Sequence, residues 1–266
     1  MRHSLALFLL ITLTACKMLE PLPDGSAPGK YMPVEEMYKQ AETELNDGNY
    51  DSAVKLYETL QSRYPYGRYA QQALLEVAYA YYRQGEPESA VSAADRFIKQ
   101  YPNHPHIDYA YYVKGLANFN GEISFLRSTG GQDPTERDPR ASQESFAAFR
   151  DLVTRFPNSK YTADSKLRMQ YLVNALAKYE LHVARYYLRR GAHIAAANRA
   201  KGILTQFPKS PSTRDALQIL VEAYDEMGMT DLRDDTKRTL EKNTGTPEPS
   251  PDINDAAIGE KPGKFW

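Results

Sequence analysis

A glycine followed seventeen positions later by a proline, with an aromatic residue just before that proline, is the feature that most constrains this chain. Gly48 precedes Tyr64-Pro65, Gly85 precedes Tyr101-Pro102, and Gly191 precedes Phe207-Pro208. A fourth pair, Phe156-Pro157, has Arg140 where the glycine would stand. Five positions after each glycine comes an alanine: Ala53, Ala90 and Ala196. Seven positions before lie Ala41, Ala78, Ala184 and, ahead of Gly228, Val221. Four positions before lie Tyr81, Tyr187 and Tyr224, with Glu44 as the exception. Such spacing describes stacked helix pairs. Glycine allows the turn, proline ends the second helix, and small residues let helices approach where they cross.

These spacings resemble the tetratricopeptide repeat, although the step of 37 residues from Gly48 to Gly85 exceeds the usual period of about 34. The expectation is an all-α superhelical solenoid of five tetratricopeptide-like helix pairs. The pairs fall near 34–47 with 50–63, 67–84 with 87–100, and 105–119 with 139–155. Then come 160–190 with the helix after Gly191, and 211–227 with 230–242. Gly115 takes the small crossing position of the third pair. Gly121, Gly130, Gly131, Pro134 and Pro139 mark residues 121–139 as an inserted loop between N-terminal repeats (34–120) and C-terminal repeats (140–243). Pro157 to Gly191 is 14 residues longer than Pro65 to Gly85 and has no internal Pro or Gly, which predicts one extended helix.

The N-terminus reads as a targeting segment. Arg2 and His3 precede an apolar run, Leu5 to Thr14, too short to cross a bilayer. The run ends in Leu13-Thr14-Ala15-Cys16, which looks like a lipobox. Residues 1–15 are then a lipoprotein signal peptide, and Cys16 is the lipidation site, bearing an S-diacylglycerol and an N-acyl chain. No other cofactor is called for. Cys16 is the sole cysteine, so no disulfide framework is available. The competing reading is an ordinary cleavable signal with a chance cysteine. Lys17 follows, and by resemblance to bacterial lipoproteins the absence of aspartate there favours the outer membrane. Residues 16–33 form a Pro- and Gly-bearing tether that spans at most about 55 Å. After Asn243 the composition turns to Pro, Gly, Thr and acids, so 244–266 reads as a disordered tail.

Chemistry is hard to find between those ends. The net charge of −1 gives no bulk field for nucleic acid or an acidic substrate. His104 and His106 flank Pro105 without a Cys or carboxylate cluster, and exposed turn histidines account for them better than a metal site. His182 and His193 lack HExxH or triad context. Asp133, Glu136 and Asp138 are interrupted by Pro134, Arg137 and Pro139, which spoils a calcium loop. The expectation is a non-enzymatic binding protein, since solenoids present extended surfaces for peptides and domains. Tyrosine suits such surfaces, and the chain has 20 against 9 phenylalanines.

Several strings narrow the partner: Arg63-Tyr-Pro-Tyr-Gly67, Tyr79-Ala-Tyr-Tyr82, Asp95-Arg-Phe-Ile98, His104 to Tyr109, Ala177-Lys-Tyr-Glu180 and Arg189-Arg-Gly191. With the lipobox and five repeats, they resemble the BamD (ComL) family of lipoproteins that assemble β-barrels in the outer membrane, over about 34–240. The resemblance implies a lipid-anchored protein on the periplasmic face of the outer membrane. It implies docking on the barrel-forming subunit BamA, contact with further lipoproteins such as BamC, and delivery of unfolded outer-membrane proteins. It places the main BamA contacts in the C-terminal repeats, with Arg199 facing an acidic partner residue and Arg189 and Arg190 nearby. It places substrate reading in the N-terminal repeats.

The residues alone leave other readings open. Arg185, Arg189, Arg190, Arg199 and Lys201 also describe a solvated face. Tyr64, Tyr66, Arg68, Tyr69, Tyr79 and Tyr82 are candidates for a groove that stacks on an aromatic-ended peptide and pairs with its carboxylate. The same tyrosines also serve as packing between repeats. The tail's own Lys264-Phe265-Trp266 suits such a groove as a competitor. A pilotin-like or cell-wall-associated repeat lipoprotein would show the same repeats with different partners.

Overall fold

Left-handed glycines turn the chain between the two helices of four of the five pairs. Gly85 sits at φ +78°, where its own N–H bonds back to the Tyr82 carbonyl and the Glu86 N–H to that of Tyr81. Gly48, Gly191 and Gly228 share this conformation. A Cβ at Gly85 would meet nothing within 4 Å, so the turn demands the backbone freedom and not the space. At the other end of each pair, Tyr64, Tyr101, Phe156 and Phe207 leave helical geometry at φ near −129°, ahead of their prolines.

The computed structural model describes residues 32–128 and 139–243. The signal segment, Cys16, most of the tether, the part of the insert at 129–138 and the tail lie outside the described residues. Among the described residues there are ten helices and no strand. They are α1 (Val34–Asn46), α2 (Tyr50–Arg63), α3 (Arg68–Gln84), α4 (Pro87–Gln100) and α5 (Ile107–Ser128). Then follow α6 (Arg140–Arg155), α7 (Thr162–Arg189), α8 (His193–Gln206), α9 (Thr213–Glu226) and α10 (Thr230–Lys242). No helix among them is long and apolar enough to cross a membrane.

Each helix packs on the next, and first helices also touch one another: α1 on α3, α3 on α5, and α7 on α9. The second helices make no comparable contacts with each other. First helices therefore crowd one face while second helices splay on the other, which curves the stack of helix pairs. The repeat alanines Ala41, Ala53, Ala78, Ala90, Ala184 and Ala196 are fully buried at these crossings. Gly115 does the same for the third pair. A Cβ there would lie 2.5 Å from the Phe149 ring, and the Ser145 hydroxyl donates to the Gly115 carbonyl at 2.9 Å.

Two expectations are corrected. The inserted loop does not begin at residue 121, because α5 runs on to Ser128 through Gly121. One glycine costs a helix only about 1 kcal/mol, less than a break requires. Nor does the core divide at the insert. One apolar cluster runs from Met37 to Leu172 and the other from Ala177 to Tyr224, so the division falls inside α7. At 28 residues, α7 is long enough for its first half to close the first core and its second half to open the next.

Candidate docking surfaces

Two places gather the residues singled out from the sequence, and a third bridges the helix pairs between them. The first is the corner between α2 and α3. The Tyr64 hydroxyl donates to the Met32 carbonyl at 3.0 Å, where the tether enters the fold. Tyr66 projects into solvent at 89 % exposure. Arg68 lies over the Tyr69 ring at 4.7 Å and donates to its hydroxyl at 2.9 Å. Tyr69 in turn packs against Tyr38, ring centres 5.4 Å apart. Tyr66 thus projects beside an exposed Arg68 that is itself braced on Tyr69.

Tyr79 and Tyr82 do not join them. Tyr79 is 1 % exposed and Tyr82 is 8 % exposed, with rings 6.1 Å apart inside the first core. They belong to packing and not to an open groove. A tyrosine reads alike in sequence whether its ring is walled in or wet, and three turns of buried α3 decide it here. Arg83, not foreseen, covers the edge of this cluster: it donates to the Tyr79 hydroxyl at 2.7 Å and lies 5.2 Å from the Tyr50 ring centre. Burial raises the Tyr79 phenol pKa, and Arg83 partly offsets the rise.

The second place is the step from α5 to α7, where side chains bridge the pairs. Tyr112 and Tyr161 stack at 4.6 Å, the Tyr112 hydroxyl donates to Asp164 at 2.7 Å, and the Ser159 hydroxyl donates to Asp108 at 2.6 Å. Burial pushes the Tyr112 phenol up, and the Asp164 carboxylate adds to the shift. Arg168, entirely buried, pairs with Asp164 at 2.5 Å and lies 4.9 Å from the Phe119 ring centre. A fully buried arginine had no signature in the sequence beyond its position on the long helix.

The third place is the α7–α8 corner. Arg199 does not project freely: it donates to both oxygens of Glu180 on α7, at 3.0 and 3.2 Å. That bond and the carboxylate charge raise its pKa. Arg185 is held by Asp215. Arg189 and Arg190 end α7 in solvent, and beside them in the chain Tyr186 is 50 % and Ile194 69 % exposed. The cations expected here are therefore accompanied by apolar side chains, a mixture typical of protein contact surfaces. Glu180 and Ile194 were missed as members, because nothing in spacing alone pairs residues on different helices.

No group of His, Cys, Asp or Glu among the described residues could hold a metal ion. Crowded first helices, splayed second helices and two exposed corners rich in rings and guanidinium groups define a helical-repeat protein with candidate docking surfaces. The family profile described as YfiO, outer membrane lipoprotein, matches residues 30–240. The outer membrane protein assembly factor BamD of Neisseria meningitidis serogroup A is 46 % identical over 233 residues, 88 % of this chain and 87 % of that protein. BamD of Neisseria gonorrhoeae is 49 % identical over 210 residues, 79 % of each chain. BamD of Xylella fastidiosa is 41 % identical over 239 residues, 90 % of this chain and 80 % of that one. The chain belongs to this family of outer-membrane lipoproteins, that of the assembly factor BamD.

Proposed function

We propose that this chain is a non-enzymatic adaptor of the outer-membrane β-barrel assembly machinery, lipid-anchored through Cys16 at the periplasmic face. Its C-terminal half docks on the barrel-forming subunit BamA, with lipoproteins such as BamC held alongside. Its N-terminal corner, with Tyr66 and Arg68 exposed and Tyr64 and Tyr69 beneath, meets unfolded outer-membrane proteins. The family supports the assembly role. The α7–α8 corner, where Arg189, Arg190, Tyr186 and Ile194 are exposed beside the Arg199–Glu180 pair, supports docking there.

Arg199 enters that contact already paired, so an acidic partner residue must share it with Glu180. A charge-assisted bond to a partner carboxylate contributes about 1.5–3 kcal/mol, and sharing brings the expectation to the lower end. Arg199→Glu then weakens binding of the barrel-forming subunit about tenfold, since repulsion replaces the bond. Calorimetry on the detergent-solubilised pair reads this directly, with circular dichroism confirming unchanged helix content. Undiminished affinity returns Arg199 to the solvated face. Co-purification of a secretin or of peptidoglycan enzymes in place of a barrel-forming subunit overturns the assembly role itself.

A further inference from the structure

The stack of helix pairs ends at α10, and no further helix among the described residues covers its far side. No residue of α10 is buried. Five positions after its turn glycine stands Arg233, where α2, α4 and α8 carry their crossing alanines. Polar contacts hold the helix instead. Arg233 pairs with Asp225 of α9 at 2.6 Å, and Arg214 of α9 donates to the Asn243 carbonyl at 3.2 Å. Met229 and Leu232, at the start of α10, are left 44 % and 46 % exposed. The bond to Asn243 fixes where the rest of the chain departs, at the opposite end of the helix.

We propose that residues 253–258 fold back over Met229 and Leu232 and cap this end of the stack. The reach fits. With 13 residues, α10 is about 20 Å long. Residues 244–251 carry Pro247, Pro249 and Pro251, which favour an extended path of about 25 Å, at roughly 3.1 Å per residue. The chain therefore regains the start of α10 as its next apolar group arrives: Ile253, Ala256, Ala257 and Ile258. Asp252 before this group and Gly259 after it are helix start and stop signals, and Ile253, Ala256 and Ala257 fall on one helical face. Two alanines let that face lie close on α10. The four acids and four bases of α10 balance, so Asp252 and Asp255 meet no net repulsion there. While the cap is seated, a partner that extends the stack must first displace it. The cap rests on the α9–α10 geometry and stands independently of the assembly role.

The photo-crosslinking residue p-benzoylphenylalanine, in place of Leu232, tests the contact in the purified chain with its tail. Irradiation is expected to give an intramolecular cross-link to residues 253–258, located by mass spectrometry and independent of protein concentration. Ile253→Asp combined with Ile258→Asp is expected to cut that cross-link about fivefold or more. In the chain without the photoprobe, the same pair of substitutions speeds amide exchange of residues 230–242 about threefold or more, with α1 to α6 unchanged. Both substitutions lie outside the described helices, so neither disturbs the core. No cross-link, one to another part of the chain, or one that persists in the double variant overturns the proposal. A cross-link that joins two chains and grows with concentration also overturns it, because the occupant would then be a second copy.

Discussion

A single absent methyl group sets how closely α5 and α6 approach at Gly115. Phe149 is fully buried, so its ring has no room to swing from an added Cβ. Gly115→Ala is expected to cost about 1–3 kcal/mol of stability, as overpacking does, with helix content unchanged; urea unfolding measures it. His104 gives a pH test. Its ring stands edge-on to Phe97, and its Nδ1 accepts the His106 backbone N–H at 3.1 Å. Burial lowers its pKa, and His106 adds to the shift. The folded state then takes up the proton less readily than the unfolded chain, so stability present above the usual histidine value of about 6.5 is lost as pH falls below it. The loss of Tm between about pH 7 and pH 5 is expected to shrink in His104→Gln, and an equal loss would refute the linkage. Residues of this kind differ in how legible they were. Gly115 followed from the repeat spacing, because small residues at crossings obey a register. The pairing of Arg199 with Glu180 did not, because it depends on how α7 and α8 rotate against each other. The burial of Tyr79 and Tyr82 also escaped the sequence, since tyrosine suits wet and dry settings alike.

At the scale of the element, α7 departs most from a simple repeat. Its length was legible, because the stretch from Asn158 to Arg190 contains neither proline nor glycine. Its service to two cores was not, since the apolar residues facing each side fall on one continuous helical pattern. Arg168 holds the first half of the helix in place through Asp164, which also accepts from Tyr112 on α5. Arg168→Leu strips a carboxylate of its buried partner and is expected to cost about 3 kcal/mol, the low end of such losses because Asp164 is still 30 % exposed. Denaturant unfolding of this variant, followed by circular dichroism, checks the size. A loss below about 1 kcal/mol would mean that the aromatic stack alone positions the helix.

For the whole molecule, the anchor proposed at Cys16 would decide where these surfaces work. Cys16→Ala is expected to leave the chain in the soluble periplasm or as an uncleaved precursor, and membrane fractionation distinguishes either from the acylated wild type. Mass spectrometry of mature wild type with an unmodified Cys16 thiol would refute the anchor. The fold also restricts how such chains can be recombined. Residues 129–138 are the obvious joint for a chimera between two relatives, since Gly130, Gly131 and Pro134 gather there. A crossover at that point would seat one parent's Phe149 against the other's Gly115, and one parent's Asp164 under the other's Tyr112. It would also give the first core a borrowed Leu172. A crossover beyond Arg189, in the turn at Gly191, leaves each of those contacts within a single parent and moves the mismatch to the smaller second core, where Ala177, Leu181 and Ala184 meet new neighbours and the Glu180–Arg199 and Arg185–Asp215 pairs span the joint. Viable hybrids in a shuffled library should therefore be joined near Gly191 far more often than within the insert.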